Sequence, residues 1–192
     1  MRHWLAPIAL LALAGCGVPL GPVEVSRFHV PETATLGPNA NRGTIAVIAG
    51  DGEDQTSYRL AVEQALVQAG YTIAPPESAV QTAQIRIERQ ALRNAQAPVR
   101  VGLRAGNTSY SGANAGVGLS IPFQTGPQQR VATDLVAVIR EKTSGKVLWE
   151  GRASFTVSAT SPFAQGSLAA PRLAQALFSS FPGQSGETIK VP

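Results

Sequence analysis

Two long segments of alternating polarity in the second half of the chain constrain its fold most strongly. In residues 146–158, apolar and polar side chains alternate, with Val147, Trp149, Ala153, Phe155 and Val157 on one side and Glu150, Arg152, Ser154 and Thr156 on the other. This period of two is typical of a strand with one buried and one solvated face. Residues 131–141 form the preceding segment, and residues 142–145 between them end in a glycine, as hairpin turns often do. The pattern therefore predicts an antiparallel hairpin.

The remaining patterns predict two helices and several further strands. Residues 55–69 carry apolar side chains at helical spacing and end before Gly70, and residues 168–180 place Leu173, Leu177 and Phe181 on one stripe. Strands are predicted over residues 23–30, 44–49, 71–74 and 84–92, and irregular connections over residues 31–43 and 101–126. These elements predict an α/β (α+β) fold in which two helices pack on a mixed, mostly antiparallel sheet as a two-layer sandwich.

The first 15 residues have the composition of an export signal. Arg2 gives a basic tip, and a short apolar run then leads to small residues just before Cys16. This run is shorter than the roughly 20 apolar residues that a membrane-spanning helix needs, and Pro19 follows closely. We therefore expect residues 1–15 to be a signal peptide that is removed by cleavage between Gly15 and Cys16.

Cys16 is the only cysteine in the chain, and its neighbours indicate its role. Leu13-Ala14-Gly15-Cys16 resembles the bacterial lipobox, in which the thiol is diacylglycerylated and the cysteine becomes the first residue of the mature protein. The resemblance implies a diacylglycerol group and an amide-linked acyl chain on Cys16, and we expect no other cofactor. The alternative, a buried core cysteine, is disfavoured because proline and glycine residues follow it. We expect residues 16–23 to be a lipidated tether and residues 24–192 to be a single α/β domain.

The weak net charge of the chain argues against nucleic acid as a partner. After Cys16 there are 15 basic and 12 acidic residues, and this weak excess does not predict binding to nucleic acid. A local excess lies between residues 84 and 105, where Glu88 is the one acidic residue among Arg86, Arg89, Arg93, Arg100 and Arg104. Such a segment either faces anionic lipid head groups or forms a solvated strand face followed by a loop, and we favour the second interpretation.

Complete catalytic and metal-binding motifs are missing from the sequence. Gly50 and Gly52 match the first two glycines of a dinucleotide-binding motif, but Gln55 stands at the third position. His29 is the only histidine after Cys16, and its place in a predicted strand favours a hydrogen-bonded structural role over a general base. One acylated cysteine and one histidine exclude a zinc site of the usual kind. We therefore expect no metal ion and no enzymatic activity.

Four stretches carry a resemblance to a known family. They are EVSRFHV (24–30), SYRLAVEQALVQAGY (57–71), GKVLWEGRA (145–153) and FPGQSGETIKVP (181–192). Together they resemble a family of small bacterial lipoproteins known only as a domain of unknown function, from which residues 101–126 depart. The resemblance implies a lipidated α/β domain in the envelope of diderm bacteria and supplies no catalytic residues. Gly17 stands where Asp would favour the inner membrane, so the same resemblance favours the outer membrane, facing the periplasm.

Two functions remain open from the sequence. The first is an adaptor or structural module that holds an envelope protein at the membrane through an exposed strand edge or through residues 101–126. The second is a carrier of a lipid or another small apolar ligand, which needs a pocket between the sheet and the helices. The candidate lining residues of that pocket are Trp149, Phe155, Leu177 and Phe181. Ordinary core packing is the preferred interpretation of these four side chains.

Overall fold

A seven-stranded mixed sheet organises the described part of the chain. The computed structural model describes residues 20–34, 41–50, 53–93 and 129–192. The strands are β1 (Val23–His29), β2 (Thr44–Ile48), β3 (Thr72–Ile73), β4 (Gln81–Arg93), β5 (Gln129–Glu141), β6 (Val147–Ser158) and β7 (Thr188–Val191). The described helices are α1 (Pro31–Ala34), α2 (Glu53–Gln68) and α3 (Gly166–Phe178), with a short 3-10 helix at Pro162–Ala164 before α3.

The sheet has the order β3-β2-β4-β5-β6-β1-β7. β2 pairs in parallel with β3 and β4, and the other neighbours pair antiparallel. The predicted hairpin is the β5–β6 pair, in which Arg130 lies opposite Ser158 and the register shifts between Ile139 and Arg140. The predicted fold class, a mixed and mostly antiparallel sheet with helices packed on it, is confirmed.

α2 and α3 lie side by side on one face of the sheet and bury the core against it. The helical spacing of residues 55–69 correctly predicts which side of α2 is buried: Tyr58, Val62, Ala65 and Leu66 are buried, together with Ala61 and with Ala69 just after the helix. Gly70 follows with a φ of 97°, a left-handed conformation that a glycine adopts without strain and that ends the helix. α3 contributes Leu173 and Leu177 to the same core.

A buried arginine from β1 caps the carboxyl end of α3. Arg27 is 1% exposed, and it donates hydrogen bonds to the carbonyl oxygens of Leu177 and Ala176 at 3.2 and 3.1 Å. It also donates to Ser179 Oγ at 2.9 Å and lies 3.4 Å from the Glu187 carboxylate. Burial lowers the pKa of the Arg27 guanidinium, and the charge of Glu187 opposes that effect. These bonds satisfy carbonyl groups that a helix end leaves without intrahelical partners.

Several boundaries differ from the predicted ones, and three elements were not predicted. β4 starts at Gln81 instead of residue 84, and α3 ends at Phe178, so Phe181 lies beyond the helix although it is still buried. β7 and α1 fall in segments without predicted structure, and the 3-10 helix precedes the predicted start of the last helix. The predictions for residues 1–15, for Cys16 and for residues 101–126 lie outside the described residues.

Candidate functional site

The four residues proposed to line a ligand pocket all belong to the hydrophobic core. Trp149 and Leu177 have no exposed surface, and Phe155 and Phe181 are 4% and 8% exposed. The Trp149 ring stacks on Phe178 with centroids 5.1 Å apart and lies 5.2 Å from Phe181. A side chain added at Gly151 would collide with both Trp149 and Leu177. The space between the sheet and the helices is therefore filled by side chains at this position.

One cavity reaches the edge of this aromatic cluster. It has a volume of about 270 Å³ and lies between α2 and the end of α3, and its lining includes Phe178, Phe181, Ala69 and Gln68. Phe181 is the one member of the proposed pocket set that lines it. The Arg42 guanidinium lies over the Phe181 ring, with its central carbon 4.9 Å from the ring centroid. The cavity therefore touches the aromatic cluster at Phe178 and Phe181. The other three residues of the proposed pocket do not line it.

The opposite face of the sheet is covered by neither α2 nor α3. We call it the open face, and its side chains come from alternate positions of the central strands. They are Gln84, Arg86 and Glu88 of β4; Ala132, Asp134, Val136 and Val138 of β5; Glu150, Arg152 and Ser154 of β6; and Glu24, Ser26 and Phe28 of β1. The backbone register aligns one row of them across five strands: Ile48, Gln84, Val138, Glu150 and Phe28.

Phe28 stands out on the open face. Its side chain is 58% exposed, the highest value among the large hydrophobic side chains described as exposed. Ile48, at the other end of the same row, is 43% exposed. The alternation of β1 shows why: Val23, Val25 and Arg27 are buried, so Phe28 must point the other way. Phe28 was not among the residues predicted from the sequence, because a period of two does not by itself show whether Arg27 or Phe28 is the buried one.

Charged groups on the open face pair with one another. Arg152 Nη2 lies 2.9 Å from Asp134 Oδ2, and Ser154 donates a hydrogen bond to the same carboxylate. The hydrogen bond from Arg152 to Asp134 and the charge of that carboxylate raise the pKa of Arg152. Arg86 and Glu88 lie 3.3 Å apart on the neighbouring strand. The open face is therefore polar and mixed in charge around a line of small apolar side chains on β5.

A polar cleft of about 690 Å³ lies between the first turns of α2 and α3. Arg89, from the helix side of β4, donates a hydrogen bond to Asp54 Oδ2 at 2.7 Å and another to the carbonyl oxygen of Ala164. Tyr58 beneath it is fully buried, and burial raises the pKa of its hydroxyl to about 12. The cleft already contains its own ion pair, and a guanidinium held in this way is a structural link between β4, α2 and the 3-10 helix.

The two arginine side chains of residues 84–105 that the structure describes lie on opposite faces of β4. Arg86 lies on the open face and Arg89 on the helix side, because an even-numbered and an odd-numbered position of one strand point to opposite faces. The Arg93 side chain, Arg100 and Arg104 lie outside the described part of the chain. His29 lies in β1, and its ring nitrogens lie 3.0 and 3.2 Å from the carbonyl oxygens of Val30 and Gly183, so the ring has hydrogen-bond partners within the fold.

Within residues 20–34, 41–50, 53–93 and 129–192, no helix has the length and apolar character needed to cross a membrane. In the same ranges, no three histidine, cysteine or acidic side chains gather into a group that could hold a metal ion.

Sequence similarity to known proteins covers only part of this chain. No family model matches the chain. An uncharacterized protein from Zymomonas mobilis is 37% identical over 76 residues, which are 38% of this chain and 29% of that protein. The chain therefore matches less than a third of that relative's length.

Solved structures resemble the chain loosely in fold. The PelC dodecamer from Paraburkholderia phytofirmans is 17% identical, covers 85% of this chain and 99% of its own, and has a TM-score of 0.45. A PDZ domain protein from Parabacteroides distasonis is 13% identical, covers 89% of this chain and 39% of its own, and has a TM-score of 0.46. These values assign no activity, ligand or assembly to this chain.

Proposed function

We propose that this chain is a lipid-anchored module of the bacterial cell envelope and that its folded part binds another envelope protein. Acyl chains on Cys16 hold it on a membrane, and Gly17 after the cysteine favours the outer membrane, facing the periplasm. Two or more acyl chains are enough for stable anchoring. The observation that carries the binding part of the proposal is the exposed ring of Phe28 on the open face.

The surroundings of Phe28 are those of a protein-binding surface. Aromatic side chains are enriched at the centres of protein interfaces, where a few of them carry most of the affinity. Glu150 lies directly opposite Phe28 in the sheet, and Val138 lies beyond it in the same row. Paired charges such as Asp134 and Arg152 surround this row. A partner with an apolar contact for Phe28 and a mixed polar rim complements such a surface.

The carrier alternative receives less support from the described residues. It requires an opening among Trp149, Phe155, Leu177 and Phe181, and these side chains are packed against one another and against the helices. A lipid could enter only if α3 moved away from β6, which would expose much of the apolar core to water. A protein partner on the open face requires no such movement.

Site-specific photocrosslinking in intact cells tests the proposal. A photoreactive amino acid replaces Gln84 or Glu150 on the open face, and Gln64 or Gln68 on the exposed side of α2 serves as the matched control. The full chain, with its own signal peptide, is used in each case. Adducts are identified by mass spectrometry after purification.

We expect the same protein to be crosslinked from Gln84 and Glu150 and not from the two positions on α2. Adducts from α2 alone, or equal adducts from both surfaces, would overturn the assignment to the open face. Recovery of the chain with a stoichiometric apolar small molecule and without a protein adduct would replace the adaptor with the carrier.

A further inference from the structure

The first described residues of the chain are fixed to the outer side of α3. Leu20 is partly buried and packs against the hydrophobic core. The carbonyl oxygen of Gly21 accepts a hydrogen bond from Arg172 Nη2 at 3.0 Å. The chain thus leaves the domain beside α3, at the start of β1 and next to the end of β7, where Val23 pairs with Val191.

The distance from this point to Cys16 is short. Cys16 precedes Leu20 by four positions, and an extended chain spans at most about 3.6 Å per residue, so Cys16 lies within roughly 14 Å of Leu20. If Cys16 is acylated, as the proposed function requires, the membrane surface must lie close to this corner of the domain. The inference below rests on that part of the proposed function.

An apolar groove of about 420 Å³ opens at the same corner. It lies between α3 and the edge strand β7, and its lining consists of Phe163, Leu168, Pro171, Arg172, Gln175, Ala176, Val191 and Pro192. Leu168 is 46% exposed although it is a large hydrophobic side chain. Leu168, Arg172 and Gln175 follow one another at helical spacing, so they form one stripe along the outer side of α3.

The groove also contains a guanidinium group, that of Arg172. Its Nη2 holds the carbonyl oxygen of Gly21, whereas its Nε is shielded from solvent and has no hydrogen-bond partner among the described residues. Protein groups therefore leave part of the hydrogen-bonding capacity of this partly exposed side chain unused. A lipid phosphate is an acceptor suited to arginine, and basic side chains near a membrane surface are attracted to anionic lipids.

We propose that this groove is the membrane-facing side of the domain and that it receives the head-group layer of the bilayer that holds Cys16. Leu168, with Pro171 beside it, enters the boundary between head groups and acyl chains, and the Arg172 guanidinium donates hydrogen bonds to a lipid phosphate. The β7 edge of the sheet then points to the membrane and the β3 edge points away from it. The open face stands to one side and stays accessible to a protein partner.

Depth-dependent fluorescence quenching tests this orientation. The full chain is produced in cells, purified with its lipid and reconstituted into vesicles of phosphatidylethanolamine and phosphatidylglycerol, with or without brominated acyl chains. Because the chain has one cysteine, whose thiol carries the lipid, an introduced cysteine is its only free thiol. Leu168→Cys and Gln175→Cys report on the groove, and Leu60→Cys and Gln64→Cys are the matched controls on the exposed side of α2.

We expect bromine to quench a fluorophore on either groove cysteine at least about threefold more strongly than one on α2, since interfacial side chains lie near the acyl boundary. Equal quenching at all four positions in vesicles that carry the protein would overturn the orientation and leave the lipid anchor intact. A chain that lacks acyl mass and does not float with the vesicles would overturn both the anchor and the orientation. The fluorescence of buried Trp149 verifies that each variant is folded.

Discussion

Arg27 and Phe28 are consecutive residues of β1 with inverted environments: the guanidinium side chain is 1% exposed and the phenyl ring is 58% exposed. Strand geometry sends neighbouring side chains to opposite faces, so burial of one fixes the exposure of the other. Arg27 is held inside by the carbonyl groups at the end of α3 and by Glu187. The fold therefore stabilises a position in which an aromatic ring faces outward on the open face.

Replacing Arg27 should destabilise the domain strongly. Arg27→Met leaves the carbonyl oxygens of Ala176 and Leu177 without these donors in a buried place, and we expect a loss of about 3 kcal/mol in the free energy of unfolding. Glu187→Gln removes only the 3.4 Å ion pair of a part-exposed carboxylate, so it should cost about 1 kcal/mol or less. Urea denaturation of the purified chain, followed by Trp149 fluorescence, measures both values. Equal effects of the two variants would contradict this account of Arg27.

Replacing Phe28 should weaken partner binding and leave the fold intact. Truncation of an interface aromatic residue usually costs more than about 1.4 kcal/mol, which is roughly a tenfold loss of affinity. Leu60→Ala is the control, because Leu60 is 54% exposed on α2, close to the 58% of Phe28. The comparison is the amount of that partner, once crosslinking has identified it, that co-purifies with each variant. If Phe28→Ala retains the partner as well as Leu60→Ala does, Phe28 is not part of the interface.

Enlarging Gly151 should test how closely the core is packed. A Cβ at this position would collide with Trp149 and Leu177, so Gly151→Ala should lower the free energy of unfolding by about 1–3 kcal/mol through overpacking. A Cβ at Gly21 would have no neighbour within 4 Å, and Gly21→Ala should stay within about 0.5 kcal/mol of the parent. Thermal unfolding of both variants measures the two changes in stability. A neutral Gly151→Ala would mean that the space beside Trp149 can open, as a carrier would require.

Replacing Tyr58 should change the pH dependence of stability at alkaline pH. Its hydroxyl is buried without a hydrogen-bond partner among the described residues, so Tyr58→Phe should be neutral or slightly stabilising at pH 8. Burial raises the pKa of Tyr58 from 10.0 to about 12, which means that the unfolded chain loses this proton first. Between these two values the native state binds more protons, and stability falls with rising pH by up to about 1.4 kcal/mol per unit for this group.

Urea denaturation at pH 8 and pH 11 measures the difference for Tyr58→Phe. The variant should lose less stability than the parent over this interval. Tyr71 is a second buried tyrosine whose pKa burial raises to about 12, and Tyr71→Phe should reduce the alkaline loss in the same direction. An unchanged pH dependence in both variants would contradict the burial of these hydroxyls.

The local patterns of the sequence predict the fold where elements carry their own signal. The β5–β6 hairpin and α2 follow from alternation and helical spacing within each segment. β7 does not, because Thr188–Val191 is only 4 residues long and becomes a strand by pairing with β1, near the other end of the chain. α1 is also short, and its signal is limited to Pro31 at the first position and Glu32 in the first turn.

The candidate site was harder to predict, because it depends on which face of each strand is buried. Trp149, Phe155, Leu177 and Phe181 are recognisably apolar in the sequence, but only packing distinguishes a filled core from a lined pocket. For β1, the exposed position of Phe28 depends on the burial of Arg27, and that burial requires partners on α3 and at Glu187. No local pattern in residues 23–30 contains those partners.

The mass of the amino-terminal peptide from the membrane fraction of cells that express the full chain tests the central proposal most directly. We predict that residues 1–15 are absent, that the chain begins at Cys16, and that this residue carries a diacylglycerol group and an amide-linked acyl chain. In a Cys16→Ala variant, both the acyl mass and the retention in the membrane fraction should be lost. A chain that keeps residues 1–15, or that begins at an unmodified Cys16 and is released from membranes, would contradict the proposal of a lipid-anchored envelope module.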